Sequence, residues 1–185
     1  KEGRILNRLA RWTAEGIEYE ADPRQAERIV RDLSRSGCKS VGSPAVKPTG
    51  EQVEADVDLG PQKQRPYRAM VARGNYLAAD RPEIQYAAKE VCRWMSKPTE
   101  LPLLARKRLA RFVEAHPRLV YKYRWQEADV IDVYSDTDWA GCLRTRKSTS
   151  GGCLMLGQHL LKSWSSTQTA VSLSSGEAEF YGVVK

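Results

Sequence analysis

Residues 129–141 read Asp-Val-Ile-Asp-Val-Tyr-Ser-Asp-Thr-Asp-Trp-Ala-Gly. The period is two: Val130, Asp132 and Tyr134 alternate with Ile131 and Val133, which predicts a strand over 130–135. Further on, Gly151–Leu156 and His159–Ser165 read as two more strands, with Gly157-Gln158 as the tight turn between them. Ala170–Leu173 reads as a short extended piece leading into a helix from about Ser174. Strand, hairpin and helix in that order predict an α/β or α+β unit over 129–185, half built where the sequence stops.

Upstream of this block the period becomes helical. Three helices are expected, over about 66–78, 82–96 and 102–115, punctuated by Asp80-Arg81-Pro82, Lys97-Pro98 and His116-Pro117. Ile84, Ala87, Ala88, Val91, Cys92 and Met95 share one face of the second. Leu104, Leu109, Phe112 and Val113 are the expected buried residues of the third. A short strand is expected over 119–123. Residues 38–64 carry prolines, glycines and acids with little periodicity and read as a loop or linker. Before it, Asp22 and Pro23 suit a helix start, and Ala26, Ile29, Val30 and Leu33 form its apolar stripe, closed near Gly37. Residues 4–21 read as a β-hairpin with arms Ile5–Thr13 and Ile17–Glu20, turned at Ala14-Glu15-Gly16. The fold class expected is α+β, divided as 1–44, a linker 45–64, a helical region 65–124 and the strand-rich unit 129–185.

Composition narrows the function classes. With 41% hydrophobic and 29% charged residues the chain resembles an ordinary globular protein. No apolar run approaches the roughly 18 residues of a membrane span, so no membrane partner is expected. The start, Lys-Glu-Gly-Arg, has neither Met nor a signal core, and suggests a piece of something longer. The 30 basic and 23 acidic side chains give a net charge of +7, which fits either a polyanion partner or merely a basic surface. Cys38, Cys92, Cys142 and Cys153 lack metal-binding spacing and read as buried free thiols, which suits a reducing, intracellular setting.

Chemistry concentrates in the last segment. Asp136 is read as following directly on the first strand, with Asp138 two residues on. Carboxylates at a strand end suit a hard cation such as Mg²⁺, and equally suit a turn in which Asp accepts backbone N–H bonds. Ser174 and Glu177 fit a capping box. Glu179, about 200° around the helix from Glu177, is left to a metal shared with Asp136 or to a Lys or Arg partner. Arg24, Arg28, Arg31 and Arg35 lie off the first helix stripe, as a solvated or a phosphate-tracking face. Trp139 and Trp164 suit core packing or base stacking.

Four blocks in one order carry a specific resemblance. They are Tyr134–Gly141, Arg146–Gly152, Trp164–Gln168 and Leu173–Phe180, and they resemble the ribonuclease H segment of copia-type retrotransposon Pol polyproteins. Upstream, Tyr67–Val71, Tyr76–Ala78, Arg81–Ile84 and Lys107–Phe112 resemble the same family between polymerase and ribonuclease H. Residues 4–44 are a weaker match to the end of the polymerase palm and the start of its thumb, and residues near 45–64 match least.

The resemblance implies a hairpin and helical thumb- and connection-like region, then a truncated ribonuclease H-like unit with a three-stranded antiparallel sheet and its first helix. It implies Asp136 as the first catalytic acid, Glu179 as the second, and Asp138 as a further motif carboxylate at a site of two Mg²⁺ ions that cuts the RNA strand of an RNA–DNA hybrid. The family's later acids and the polymerase's own aspartate pair have no match here, so the fragment is expected to be inactive by itself. Its expected partners are nucleic acid, as hybrid or template–primer, and the remainder of the polyprotein, in a cytoplasmic particle or the nucleus. Arg106, Lys107, Arg108 and Arg111, with Lys147, are the candidate phosphate contacts. The other readings are a non-catalytic nucleic-acid-binding remnant and an inert remnant.

Overall fold

The computed structural model describes residues 1–33 and 39–184. Expectations at Arg35, Gly37 and Cys38, and for the burial of Leu33, lie outside the described residues. The architecture is α+β, with two antiparallel sheets and six helices among the described residues. The chain divides into two units, residues 1–125 and 126–185.

The first unit opens with β1 (Glu2–Ile5), β2 (Arg8–Trp12) and β3 (Gly16–Glu20). The expected single arm Ile5–Thr13 is in fact a hairpin of its own, because Leu6 and Asn7 both turn left-handed, at φ 51° and 67°. Gly16 has φ 154°, and a Cβ there would stand 2.0 Å from the Tyr123 carbonyl oxygen, so only glycine lets the next strand approach. That strand is β4 (Val120–Arg124), which pairs antiparallel with β3 and gives the sheet order β1-β2-β3-β4.

Five helices lie between β3 and β4: α1 (Pro23–Leu33), α2 (Gly50–Glu54), α3 (Pro61–Ala78), α4 (Pro82–Cys92) and α5 (Glu100–Ala115). Residues 45–64 are more ordered than their composition suggests. Thr49 and Gln52 form a capping box for α2, and Leu59 is buried in the core. Pro61 then occupies the first position of α3, so that helix starts five residues before the expected Pro66, which sits inside it. At the other end α4 stops at Cys92, not Ser96, and the Arg68 guanidinium donates to the carbonyls of Met95 and Ser96 beyond it. Leu104 is exposed rather than buried; Pro102 and Leu103 take its place on the inner face of α5.

One core joins these helices. Ile29 of α1, Tyr67, Met70 and Val71 of α3, Ile84, Ala88 and Val91 of α4, and Leu109 and Val113 of α5 are buried together. Each large side chain so buried contributes about 1.5–3 kcal/mol before entropy is charged. Tyr67 keeps its hydroxyl satisfied by donating to the Val91 carbonyl at 2.5 Å. Polar side chains tie the sheet to the helices. Asp80 accepts from Arg8 Nε at 2.7 Å and from the Tyr19 hydroxyl at 2.6 Å. Arg81, 1% exposed, pairs with Glu83 and donates to the carbonyls of His116 and Pro117 at 2.7 and 3.3 Å.

In the second unit, β5 (Ile131–Asp138), β6 (Thr149–Leu156) and β7 (His159–Thr167) form a three-stranded antiparallel sheet with α6 (Ser175–Val183) packed on β5 and β6. Gly157 turns the β6–β7 hairpin at φ 54°, as expected. Residues 170–173 are not a strand. Cys92, Cys142 and Cys153 are free thiols but only half-buried, not buried.

Two outcomes test this account. Arg81→Met leaves two carbonyls and Glu83 without their buried donor, and is expected to lower unfolding free energy by about 3 kcal/mol in urea titration; a shift under a third of that would show the guanidinium to be dispensable. Glu20 accepts two bonds from Arg118, at 2.6 and 2.8 Å, which hold its carboxyl below the usual carboxylate range. Its folded pKa is thus lower than its unfolded one, so the stabilisation is present above the unfolded value and is lost as pH falls through the folded one. Glu20→Gln is expected to cost about 1–2 kcal/mol at neutral pH and to flatten the acid limb of the stability profile, read by thermal unfolding across that range.

Candidate functional site

The strand β5 runs three residues further than its periodicity indicates. Asp136 and Asp138 therefore lie within it, opposite Gly151 and Thr149 of β6, rather than beyond its end. Strand alternation puts both carboxylates on one face and Thr137 on the other. Asp136 is exposed, Asp138 half-buried and Thr137 buried.

The face of Thr137 is the one that α6 covers. A Cβ at Gly182 would stand 2.6 Å from Thr137 Oγ1, so glycine is what lets the helix seat so closely. Ala178, four residues earlier on the same helix face, is fully buried. Glu179 follows it, about 100° further around the helix, and is half-buried on the flank. Ser174 caps α6 by accepting the Glu177 N–H. The reciprocal bond differs from a strict capping box: the Glu177 carboxylate accepts from Leu173 N–H at 2.7 Å, one residue earlier than expected.

A buried polar cluster holds this helix to the sheet. Gln168 Nε2 donates to Ser150 Oγ at 2.9 Å and to the Ala178 carbonyl at 2.8 Å, while Gln168 Oε1 accepts from Ser172 Oγ at 3.0 Å. Ser148 Oγ accepts from Ala140 N–H at 3.0 Å, fixing the turn that follows β5. Trp139 donates its indole N–H to the Ser172 carbonyl at 3.1 Å. Sequence reasoning quoted Gln168 and Ser150 only as parts of motif blocks. The signal available was their type: a small polar residue inside a strand, as Ser150 is, and a polar side chain just after one, as Gln168 is, need partners when buried.

The three predicted carboxylates are not gathered into one group. Asp136 and Asp138 share a face of β5, Glu179 rides on the helix that covers the opposite face, and no cluster of three or more metal-ligating side chains occurs among the described residues. As arranged, these residues do not make a cradle for two divalent ions, and no catalytic step follows from them.

The predicted phosphate contacts are also used differently. Arg106 is half-buried and donates to the Pro66 carbonyl at 3.3 Å; burial pushes its pKa down, with Tyr67 and Asp32 pulling the other way. Arg108 Nε donates to the Ser43 carbonyl at 3.0 Å and Arg111 Nε to that of Lys39 at 2.8 Å. Three of the four cations on α5 thus fasten neighbouring backbone, and Lys107 stands exposed. Lys147, in the loop after β5, is half-buried, whereas Arg24, Arg28 and Arg31 on α1 are exposed as expected. No described helix is long and apolar enough to cross a membrane.

Comparison with known proteins places the chain among retroelement sequences. It is 33% identical over 159 residues to an uncharacterized mitochondrial protein of Arabidopsis thaliana, AtMg00810, covering 84% of this chain and 63% of that protein. Over the same length it is 33% identical to the Retrovirus-related Pol polyprotein from transposon RE1 of Arabidopsis thaliana, covering 84% of this chain and 11% of the polyprotein. To that from transposon RE2 of the same plant it is 31% identical over 175 residues, covering 91% of this chain and 12% of the polyprotein. These similarities are consistent with a fragment of a copia-type retrotransposon Pol polyprotein, and the chain spans less than two thirds of each of these relatives. No family model matches it, and no solved structure does.

The Gln168 cluster is open to test. Gln168→Leu keeps the volume and removes both donors, so amide exchange over 175–183 is expected to accelerate at least about tenfold while the β6–β7 amides stay protected. Equal protection of α6 in the variant would remove Gln168 from this role.

Proposed function

We propose that this chain is a nucleic-acid-holding segment of a Pol polyprotein, running from the end of a reverse transcriptase into the first half of a ribonuclease H domain. The observation that carries the reading is the order of parts in residues 126–185 of a Pol relative: a strand bearing Asp136, a hairpin, then a capped helix bearing Glu179. In the longer polyprotein, a two-Mg²⁺ site for hybrid hydrolysis would need Glu179 brought to the side of Asp136 and Asp138 and further carboxylates supplied by other segments. The 185-residue chain by itself holds nucleic acid without cutting it. Its net charge of +7 and the exposed cations of α1 and α5 support binding. An intracellular particle or the nucleus is the compartment that goes with this reading.

The separated carboxylates favour the second reading for the isolated chain, a non-catalytic binding remnant. Incubated with Mg²⁺ and a labelled RNA–DNA hybrid, the chain is expected to bind and to leave the RNA strand intact. If three phosphates are neutralised, affinity should fall about 40-fold between roughly 50 and 200 mM salt. Lys107→Glu should weaken binding and reduce the salt dependence. Cleavage that Asp136→Asn abolishes would overturn the binding-only reading, and the absence of hybrid binding at low salt would overturn both.

A further inference from the structure

One face of the four-stranded sheet is aromatic. Register sets Trp12 opposite Ile17 and Ile17 opposite Tyr123, and sets Tyr19 opposite Tyr121, so all five share a face. Trp125, one residue past β4, continues its alternation and its pairing with the β3 side, through the bond from Trp125 N–H to the Glu15 carbonyl. The inner part of this face is engaged with the helices through the Tyr19–Asp80 bond. The outer part is open to solvent: Trp12 is 43% and Trp125 62% exposed.

The outer rings are also held in place. The Trp12 indole lies against Gly3, whose Cβ, if it had one, would be 3.3 and 3.6 Å from two ring atoms. Tyr121 and Tyr123 stack with centroids 5.9 Å apart at 14°. The Trp125 indole N–H donates to the Ala14 carbonyl at 3.1 Å. Rings fixed in this way lose little freedom when a ligand lies on them.

Charge decides the class of ligand. On β2, β3 and β4 the one charged side chain of the aromatic face is Arg8, which is paired with Asp80 and sits over the Tyr76 ring. The carboxylates Glu18 and Glu20 point to the opposite face, where Lys122, Arg11 and Arg118 pair with them. An aromatic surface on which the Asp80 carboxylate is already paired with Arg8 and Tyr19, on a chain of net charge +7, suits the π-faces of unpaired bases, with phosphates directed outward to solvent. A protein partner that sought this face would gain its apolar area but nothing from the surrounding charge.

We propose that the open half of this face, built on Trp12, Tyr123 and Trp125, is a stacking platform for the bases of single-stranded nucleic acid. The proposal rests on the nucleic-acid-holding function and adds the site and the strandedness of its ligand. The test uses the full chain with two fluorescently labelled probes, a short oligothymidylate and a blunt RNA–DNA hybrid.

The wild-type chain is expected to bind oligothymidylate with quenching of tryptophan emission. Trp12→Ala with Tyr123→Ala should weaken that binding at least about tenfold, leave its salt dependence unchanged, and leave hybrid affinity unchanged. Trp12→Phe should retain most of the affinity with a smaller quench. Hybrid binding without oligothymidylate binding would overturn the platform and leave the broader function standing. Binding of neither probe would overturn both. Oligothymidylate binding without quenching in the unaltered chain would overturn the platform even if the double variant failed to fold. Loss of self-association in the double variant, seen by sedimentation with unchanged oligothymidylate binding, would assign the face to a second copy instead.

Discussion

The fold of the first unit depends on two adjacent side chains at the corner between α3 and α4. Asp80 reaches the sheet, through Arg8 and Tyr19, and Arg81 reaches the end of α5, through the carbonyls of His116 and Pro117. One corner thereby fixes both where the N-terminal strands lie and where the chain emerges to form β4. The charges are balanced locally, which matters because a buried guanidinium without acceptors would cost several kcal/mol. Burial pushes the Tyr19 hydroxyl pKa far upward, and the bond to Asp80 adds to the shift. The hydroxyl therefore stays a donor through the physiological range.

The second unit is organised by a different constraint, the close seating of a short helix on a polar patch. Ser148, Ser150, Thr137 and Gln168 are buried where aliphatic side chains would ordinarily be. Small hydroxyls and Gly182 let α6 approach, and Gln168 supplies directional bonds in place of apolar area. The cost is visible on the remaining surface. Ile131 and Val133 of β5, Phe180 and Val183 of α6 and the following Val184 are each more than 60% exposed, and β5 pairs only with β6 among the described strands. Such an edge and such a patch invite pairing with further chain.

Element type was largely legible because periodicity is local. The β6–β7 turn, the stripe of α4 and the cap at Ser174 all follow from residues within a few positions of one another. What was hidden has a nonlocal or a masked cause. No residue near Val120 announces that β4 closes a sheet begun at residue 2; only the partner strand decides it. The β1–β2 turn places Leu6 at positive φ, which leucine seldom adopts, so the break between arms is invisible beside the more obvious Gly16. Thr49 and Gln52 form a readable capping box, obscured by the prolines and glycines around it. For the site, the carboxylates were identifiable as residues, but their faces were not: extending β5 by three residues changes Asp136 from a strand-end group to one member of an alternating face.

The fate of the α5 arginines changes how the charge of +7 is to be understood. A guanidinium that donates to a backbone carbonyl keeps its full positive charge, because the carbonyl is neutral. Arg106, Arg108 and Arg111 therefore still contribute to the long-range field that a polyanion would meet, although donors of each are already committed to Pro66, Ser43 and Lys39. On the proposed binding function, attraction and grip would be separable. The field belongs to the helices, where it raises the encounter rate and the sensitivity to salt. Short-range hold requires groups with an unspent contact surface, and the open aromatic rings of the sheet have one. A nucleic acid steered by the first and held by the second would dissociate faster when the rings are removed and associate more slowly when salt is added, with little exchange between the two effects.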